Sequence, residues 1–179
     1  MDLRSERMLS TMRTTQQDIS VLLNESRMKT EALCVLLASV NPNNGRATVL
    51  SCDENHSALE AQSVVFPSHV LLMLPLTNLS ATIPCKEFSF PPSLAHYAES
   101  YVVVATVRDM QNEVMGVVLT FVRQSVLTPL QHTLIDIARQ KVELNYQYEL
   151  ARHPYSDKLS EQLSLLEEVS SISKVGAGE

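Results

Sequence analysis

Residues 101–148, YVVVATVRDMQNEVMGVVLTFVRQSVLTPLQHTLIDIARQKVELNYQY, decide the fold that the sequence predicts. Two apolar runs rich in β-branched residues, Tyr101–Val107 and Val114–Val122, flank the polar segment Arg108–Glu113. Runs of this kind, joined by a short polar turn, are typical of adjacent antiparallel strands. Because both runs are continuously apolar, we expect two central strands that are buried on both faces.

A long helix is expected to follow this hairpin. Thr128 suits the N-cap, Pro129 suits the first helical position, and Gln131 can close a capping box. The helix is predicted to run to about Ala151. Its apolar side chains form one stripe of Leu130, Leu134, Ile137, Leu144 and Tyr148 and another of Ile135, Ala138 and Val142. One stripe can cover the sheet while the other meets a partner helix.

The N-terminal part of the chain is also predicted to be helical, from about Ser5 to Val40, because it contains no glycine or proline. Spacings of three and four residues place six side chains on one seam: Met8, Met12, Thr15, Ile19, Leu22 and Ser26. A break near Asn24–Ser26 would separate an exposed or dimerising helix from a more apolar core helix. The turn Asn41–Gly45 ends that second helix.

The segment between these two regions is the least regular. Arg46–Cys52 and Ala58–Phe66 are predicted to be antiparallel strands separated by a polar turn. For Pro67–Leu79 two alternatives are open: a short helix that contains Pro75, or a buried strand over Val70–Leu74. Further along, a short extended piece and a small proline-initiated helix are expected over Thr82–Cys85 and Pro91–Tyr97.

This order of elements resembles the GAF family of sensory domains. The resemblance is most specific at the glycine step Val114–Val117 and the helix start Leu127–Pro129, and it covers Met28–Arg152. It implies an α/β (α+β) fold with a central antiparallel sheet, helices on one face, and long N- and C-terminal helices forming a dimer bundle. The implied units are a dimerisation helix over 1–26, a GAF-like sensory domain over 27–152 and a connector helix over 153–179.

The C-terminal segment has a resemblance of its own. Leu166–Val169 and Val175–Glu179 are similar to the entry of a PAS domain. They belong to an amphipathic connector with the stripe Leu159, Leu163, Leu166, Val169 and Ile172. The resemblance implies the N-terminal part of a longer bacterial-type signalling protein, such as a cyclase, phosphodiesterase or histidine kinase. Two-component or cyclic-dinucleotide signalling is the expected context.

The resemblance also implies a small-molecule pocket between the sheet and the irregular middle segment. By position, the candidate ligand-binding residues are His69, Cys85, His96, Tyr97 and Tyr101. Such pockets are mostly apolar with a few polar anchors. The alternative is a filled pocket in a domain that only dimerises. The sequence identifies neither a ligand nor a cofactor.

A homodimer is the expected assembly, because the N-terminal seam precedes a domain that already has core helices. The predicted interface consists of Met8, Met12, Ile19, Leu22, Leu144 and Tyr148. Packing of the seam on the domain's own sheet is the alternative. Two such helices beside two C-terminal helices would form a bundle.

Composition excludes several classes of protein. The net charge is −6 and the Lys and Arg residues are scattered, so no nucleic-acid partner is expected. The longest apolar stretch, Val70–Leu76, contains Pro75 and is far shorter than the roughly 20 residues that span a bilayer. No secretory signal is evident at the N-terminus. We therefore expect no membrane insertion and a cytoplasmic location.

Catalytic chemistry is not expected either, since the sequence has no P-loop, GxGxxG, HExxH or GxSxG motif. The histidines show no clear two-ligand spacing, so no metal site is predicted, although folding could gather His69, Cys85 and His96. Cys34, Cys52 and Cys85 are interpreted as structural. The alternative is a thiol redox enzyme of the free methionine sulfoxide reductase type, using Cys52 or Cys85.

Overall fold

The computed structural model describes residues 19–41 and 43–152, and for the last four of these only the backbone. They form an α+β domain around a six-stranded antiparallel sheet of order β3-β2-β1-β6-β5-β4. The predictions for Met8 and Met12, for the helix before residue 19 and for the connector over 153–179 lie outside the described residues.

In the described part of the chain, six strands and three α-helices make up the regular structure, together with short 3-10 helices. The strands are β1 Cys34–Val40, β2 Arg46–Cys52, β3 Ser63–Val65, β4 Ile83–Pro84, β5 Tyr101–Arg108 and β6 Val114–Val122. The helices are α1 over residues 19–30, α2 Ser68–Met73 and α3 Pro129–Arg152. Four 3-10 helices lie in the middle segment: Glu54–Leu59, Leu74–Leu76, Cys85–Glu87 and Pro92–Tyr97.

The predicted hairpin is confirmed as the pair β5 and β6, with Val104 opposite Leu119 in the register. β6 also pairs with β1, so both sides of β6 are occupied by strands. Alternate side chains along β5 enter two separate cores, with Val102 and Val104 in one and Val103 and Ala105 in the other. The continuous apolar composition of these strands follows from this burial on both faces.

Each face of the sheet has its own cover. One face, here called the helix face, packs against α1 and α3 through Ile19, Leu23, Ile135, Val142 and Tyr146. The opposite face packs against the middle segment through side chains that include Leu59, Phe66, Val70, Cys85, Phe88 and Leu94; it is called the loop face below. The predicted central antiparallel sheet is therefore confirmed for the described residues. Its two longer helices, α1 and α3, share one face as expected, but the short helix α2 packs on the other.

The predicted second helix over residues 27–40 is wrong beyond residue 30. Instead, α1 continues through the expected break at Asn24–Ser26 and ends at Glu31, whose φ is 57°. The N–H of Ala32 donates to the carbonyl of Arg27 over 3.0 Å, and Glu31 N–H donates to Met28 over 3.4 Å, which is the Schellman pattern. The apolar run that follows is β1, which lies between β2 and β6 and is apolar because both of its faces are buried.

Two expectations for the middle segment also need correction. The predicted strand Ala58–Phe66 is reduced to Ser63–Val65, because a 3-10 helix occupies Glu54–Leu59 and Ala61 has a φ of 69°. The helical alternative holds for Pro67–Leu79, but α2 ends at Met73 and a 3-10 turn containing Pro75 follows. The small helix after Pro91 is confirmed as a 3-10 helix over Pro92–Tyr97.

The predicted capping box at the start of α3 is confirmed by its two hydrogen bonds. Gln131 N–H donates to Thr128 Oγ1 over 3.1 Å, and Thr128 N–H donates to Gln131 Oε1 over 3.1 Å, which is a capping box. Gln131 Nε2 also donates to the carbonyl of Thr30 over 3.2 Å. The capping residue thus ties the start of α3 to the end of α1.

Within residues 19–41 and 43–152, no helix is long and apolar enough to cross a membrane.

Candidate functional site

A buried carboxylate lies where β2 ends. Asp53 is fully buried, and its Oδ2 accepts a hydrogen bond from the N–H of Val35 over 2.8 Å. Its Oδ1 accepts from the N–H of Asn55 over 3.0 Å and so caps the 3-10 helix Glu54–Leu59. A buried carboxylate is tolerated when hydrogen bonds and a counter-charge compensate for the lost water. Asp53 therefore fixes the end of β2 against the central strand β1.

The 3-10 helix then brings a histidine onto the same carboxylate. His56 Nδ1 lies 2.8 Å from Asp53 Oδ1, and His56 Nε2 lies 2.9 Å from the hydroxyl of Tyr97. The Tyr97 hydroxyl also lies 3.4 Å from the carbonyl of Leu33. Carboxylate, imidazole and phenol thus form a continuous hydrogen-bonded chain from the end of β2 to the helix Pro92–Tyr97.

A thiol and a guanidinium complete this group. Cys34, the first residue of β1, is fully buried, and its sulfur lies within 4.8 Å of ligand atoms of both Asp53 and His56. Arg27 Nε of α1 lies 3.5 Å from Asp53 Oδ1. Burial, followed by the negative charge of Asp53, raises the pKa of the Cys34 thiol far above its usual range. We call Arg27, Cys34, Asp53, His56 and Tyr97 the Asp53 cluster.

Tyr97 responds to the same surroundings. Desolvation first, and then the neighbouring Cys34 and Asp53, raise the pKa of its phenol. The hydroxyl therefore keeps its proton at neutral pH and is available as a hydrogen-bond donor.

The five predicted pocket residues do not share one location. Cys85 and Tyr97 both pack in the core of the loop face. His69 is exposed and pairs with Glu87 over 3.2 Å at the surface, and His96 is exposed with its ring 3.9 Å from that of Tyr97. Tyr101 packs against the core of the helix face. Only Tyr97 of the five belongs to the Asp53 cluster.

Aromatic side chains occupy the space beneath the middle segment. Phe66, Phe88, Phe90 and Phe121 form a chain of ring contacts with centroid separations of 5.1–5.2 Å. The ring of Tyr97 joins the chain at Phe121, over 6.1 Å. The chain's own aromatic residues therefore occupy part of the region in which the resemblance implies a ligand pocket.

Neither cysteine of the redox alternative has the properties of a reactive thiol. Cys52 and Cys85 are buried, and both are unpaired. Burial raises the pKa of each thiol to about 12, whereas a nucleophilic cysteine needs an accessible thiolate. The structural interpretation of both residues is favoured.

The outer side of the two long helices exposes apolar residues. Val21 and Met28 of α1 and Leu130, Ile137, Leu144 and Tyr148 of α3 are all exposed. Leu22 is partly buried and lines, with Leu134 and Ile137, a groove of about 270 Å³ between the helices. Ile19 is fully buried in the core between the helices and the chain's own sheet. Ile19 therefore follows the alternative prediction, in which the seam residue packs within its own domain. Its side chain has no exposed surface for contact with a partner.

Known structures resemble this domain in fold. A phycocyanobilin-bound GAF domain from a cyanobacterial phytochrome aligns with a TM-score of 0.58 and 13% identity over 84% of this chain and 95% of that one. The GAF domain of an Acinetobacter phosphoenolpyruvate-protein phosphotransferase aligns with a TM-score of 0.52 and 12% identity, over 80% of this chain and 94% of that one. A far-red cyanobacteriochrome photoreceptor aligns with a TM-score of 0.54 and 12% identity, over 78% of this chain and 91% of that one.

The chain has the GAF fold. No protein-family profile and no curated protein sequence matches it. The fold expected from the hairpin, the glycine step and the capped helix is thereby confirmed.

Within this GAF fold, the sequence predicted one residue of the Asp53 cluster and missed the other four as site residues. Asp53-Glu54-Asn55-His56 was interpreted as a polar turn. An aspartate and a histidine three residues apart lie on one side of a helical turn, and this spacing could have indicated a paired site. Cys34 could not be added to the pair, because the predicted helix over residues 27–40 concealed the pairing of β1 with β2.

Proposed function

We propose that this GAF-fold domain is a non-catalytic sensory and regulatory module that forms a homodimer through the outer sides of α1 and α3. In the proposed mechanism, a bound ligand or partner changes the relative positions of these helices in the dimer. The change passes through the connector to a downstream output domain. Coupling of this kind requires the ligand to favour one arrangement of the helices over another.

The observation that carries the proposal is the spacing of the exposed apolar residues. Leu130, Ile137 and Leu144 recur every seven residues on α3, and Val21 and Met28 are seven residues apart on α1. Tyr148 extends the α3 series by a further four residues. A seven-residue repeat is the pattern by which helices pack side by side in coiled coils and bundles.

A second copy of the chain is the occupant that this spacing favours. Both helices lie on the same face of the sheet, so a two-fold axis along that face would bring four helices together with matching seams. Leu144 and Tyr148 are 63% and 64% exposed. Burying such side chains in a dimer contributes about 25 cal/mol for each Å² of apolar surface removed from water.

Light scattering of residues 1–179 tests the dimer. The double variant Leu144→Glu/Tyr148→Glu is expected to shift the protein to a monomer, because it places four charges in the seam of the dimer. Leu72→Glu/Leu76→Glu is the matched control, since both leucines are highly exposed and belong to α2 and the 3-10 helix after it, not to α1 or α3. A wild-type monomer at all concentrations, or equal dissociation of both double variants, would contradict the proposal.

A structural dimerisation module that binds no ligand is the second candidate. The aromatic packing beneath the middle segment favours it, because Phe66, Phe88 and Phe121 fill the loop face. Native mass spectrometry of the purified dimer separates the two functions. A small molecule retained at stoichiometric amount supports the sensory module, and a dimer of the bare chain mass that gains nothing from a metabolite extract supports the structural one.

A further inference from the structure

We propose that Cys34, Asp53 and His56 bind a thiophilic divalent cation of the Zn²⁺ class. One sulfur, one carboxylate oxygen and one imidazole nitrogen from these residues lie within 4.8 Å of one another. The residues come from the start of β1, the end of β2 and the 3-10 helix Glu54–Leu59. Pairing of β1 with β2 holds the first two in place, and the Asp53 cap on the 3-10 helix holds the third.

The donor set suits zinc better than a hard cation. Thiolate, imidazole and carboxylate are the three protein ligand types of Zn²⁺, with Zn–S near about 2.3 Å and Zn–N or Zn–O near about 2.0–2.2 Å. Ca²⁺ and Mg²⁺ take oxygen ligands almost exclusively. Three ligands leave a fourth tetrahedral position, which a water molecule can fill at the half-buried side of His56.

The short contact between His56 and Asp53 marks the position of the cation. Nδ1 and Oδ1 lie 2.8 Å apart across one shared proton. A zinc ion bound to both atoms replaces that proton, and the two atoms separate by a few tenths of an ångström to about 3 Å or more. The exposed flank of the 3-10 helix, at Glu54, Asn55, Ser57 and Ala58, allows this small adjustment.

Groups that would support the ligands are already present around them. A metal-bound histidine needs an acceptor for its second ring N–H, and the Tyr97 hydroxyl lies 2.9 Å from His56 Nε2. Tyr97 can in turn donate to the carbonyl of Leu33. The Val35 N–H holds Oδ2 of Asp53, and Oδ1, which also accepts from the Asn55 N–H, is the oxygen that lies on the His56 side and binds the cation.

Protons and charge balance in this exchange. The Cys34 thiol loses its proton to solvent, and the His56 ring proton lies on Nε2 when Nδ1 binds the ion. One proton is therefore released for each ion bound. The ion, the thiolate and the Asp53 carboxylate together are neutral, and the Arg27 guanidinium lies 3.5 Å from Asp53. Without a cation, burial and the Asp53 charge keep Cys34 as a thiol, which is consistent with its raised pKa.

Metal titration of tag-free residues 1–179 tests the site. The protein is stripped with a chelator, dialysed and titrated with Zn²⁺ and, separately, with Co²⁺. We expect one ion per chain and a thiolate-to-cobalt charge-transfer band in the near ultraviolet. Cys34→Ala removes the band, whereas Cys85→Ala, which removes another buried cysteine of the loop face, retains it.

Two further variants separate metal binding from folding. His56→Gln changes a residue at a half-buried position. The variant protein is expected to bind zinc at least 100-fold more weakly than wild type, and its far-ultraviolet circular dichroism spectrum should be unchanged. Tyr97→Phe removes the second partner of His56, together with the long contact of the hydroxyl to Leu33, and should weaken zinc binding roughly 10- to 100-fold. If Cys34→Ala does not fold, His56→Gln and Tyr97→Phe carry the test.

Three outcomes would overturn the proposal. They are a wild-type protein that binds no stoichiometric zinc, a cobalt complex without the charge-transfer band, and folded His56→Gln protein with wild-type affinity. The ion is measured per chain, so the result is independent of the oligomeric state and of the proposed sensory role.

Discussion

Two reciprocal hydrogen bonds join the backbone of Val35 to Asp53, one to its side chain and one from its backbone. Val35 N–H donates to Asp53 Oδ2 over 2.8 Å, and Asp53 N–H donates to the carbonyl of Val35 over 3.0 Å. The register of β1 with β2 shifts between Leu37 and Ala38, so the reciprocal pair fastens the two strands beyond the irregularity. The same carboxylate caps the 3-10 helix Glu54–Leu59. The Asp53 side chain therefore contributes both to the pairing of β1 with β2 and to the Asp53 cluster.

Removal of this carboxylate should destabilise the domain strongly. Asp53→Ala leaves the N–H groups of Val35 and Asn55 without their acceptor and removes the counter-charge of Arg27. Breaking a buried charged network of this kind costs about 3–5 kcal/mol. Urea unfolding in the presence of chelator measures the loss. Glu54→Ala, an exposed neighbour, should stay within about 0.5 kcal/mol of wild type, and an equally small loss in Asp53→Ala would contradict the assignment.

Gly45 should not tolerate a side chain. Its φ is +70°, and an added Cβ would lie 2.8 Å from Leu71 Cδ1 and 3.1 Å from the carbonyl oxygen of Phe66. Gly45→Ala is expected to lower the free energy of unfolding by about 1–3 kcal/mol. Asn112→Gly is the matched control, because Asn112 has a φ of 65° in the exposed turn before β6. It should be neutral or slightly stabilising, since glycine accepts that conformation freely.

The buried thiols predict a loss of stability at alkaline pH. Cys52 and Cys85 have a pKa of about 12 in the folded domain, against about 8.5 in an unfolded chain. Their contribution is complete below the unfolded pKa and is lost as the pH rises towards 12, because only the unfolded chain then releases the protons. The expected slope is up to about 1.4 kcal/mol per pH unit for each thiol.

Urea unfolding from pH 7 to pH 10.5 measures this slope, and the Cys52→Ala/Cys85→Ala variant isolates it from the titration of other groups. Wild type should lose stability more steeply than the variant above about pH 9. Parallel curves would mean that the thiols ionise in the folded domain, and the redox interpretation would then regain support.

The sequence predicted the hairpin and α3 correctly because their signals are local. Apolar runs long enough to cross a sheet flank the β5–β6 turn, and Thr128 and Gln131 define the helix start within four residues. β1 was mistaken for a helix because its apolar run has no period, since both faces are buried. The end of α1 was missed because Glu31 takes the left-handed position in which glycine is the usual signal.

The Asp53 cluster depends on contacts that no local pattern contains. His56 and Tyr97 are 41 residues apart in sequence, and they meet only because the helix Pro92–Tyr97 folds back over the loop face. Cys34 reaches Asp53 through the antiparallel pairing of β1 with β2, in which Leu36 lies opposite Cys52. With residues 34–40 assigned to a helix, this pairing could not be deduced.

Arg108 should hold part of the middle segment against the sheet. Its guanidinium donates to the carbonyls of Leu74, Pro75 and Thr77 over 3.2–3.4 Å and to Asn78 Oδ1 over 3.2 Å. Hydrogen bonds from a charged donor contribute about 1.5–3 kcal/mol each when buried and less when partly exposed, as here. Arg108→Met is therefore expected to open this segment locally while the central sheet stays closed.

Amide hydrogen exchange measures this local opening. The N–H groups of Ser80 and Thr106, which bond to Val104 and Asn78, should exchange about tenfold faster in Arg108→Met, corresponding to about 1.4 kcal/mol. Amides of β6 should keep their wild-type rates. Arg46→Met, which removes an exposed arginine from β2, should leave both amides unchanged. Uniformly faster exchange across the sheet would show instead that the Arg108 side chain supports the whole fold, since the backbone N–H of residue 108, which donates to Glu143 of α3 over 2.9 Å, is retained in the variant.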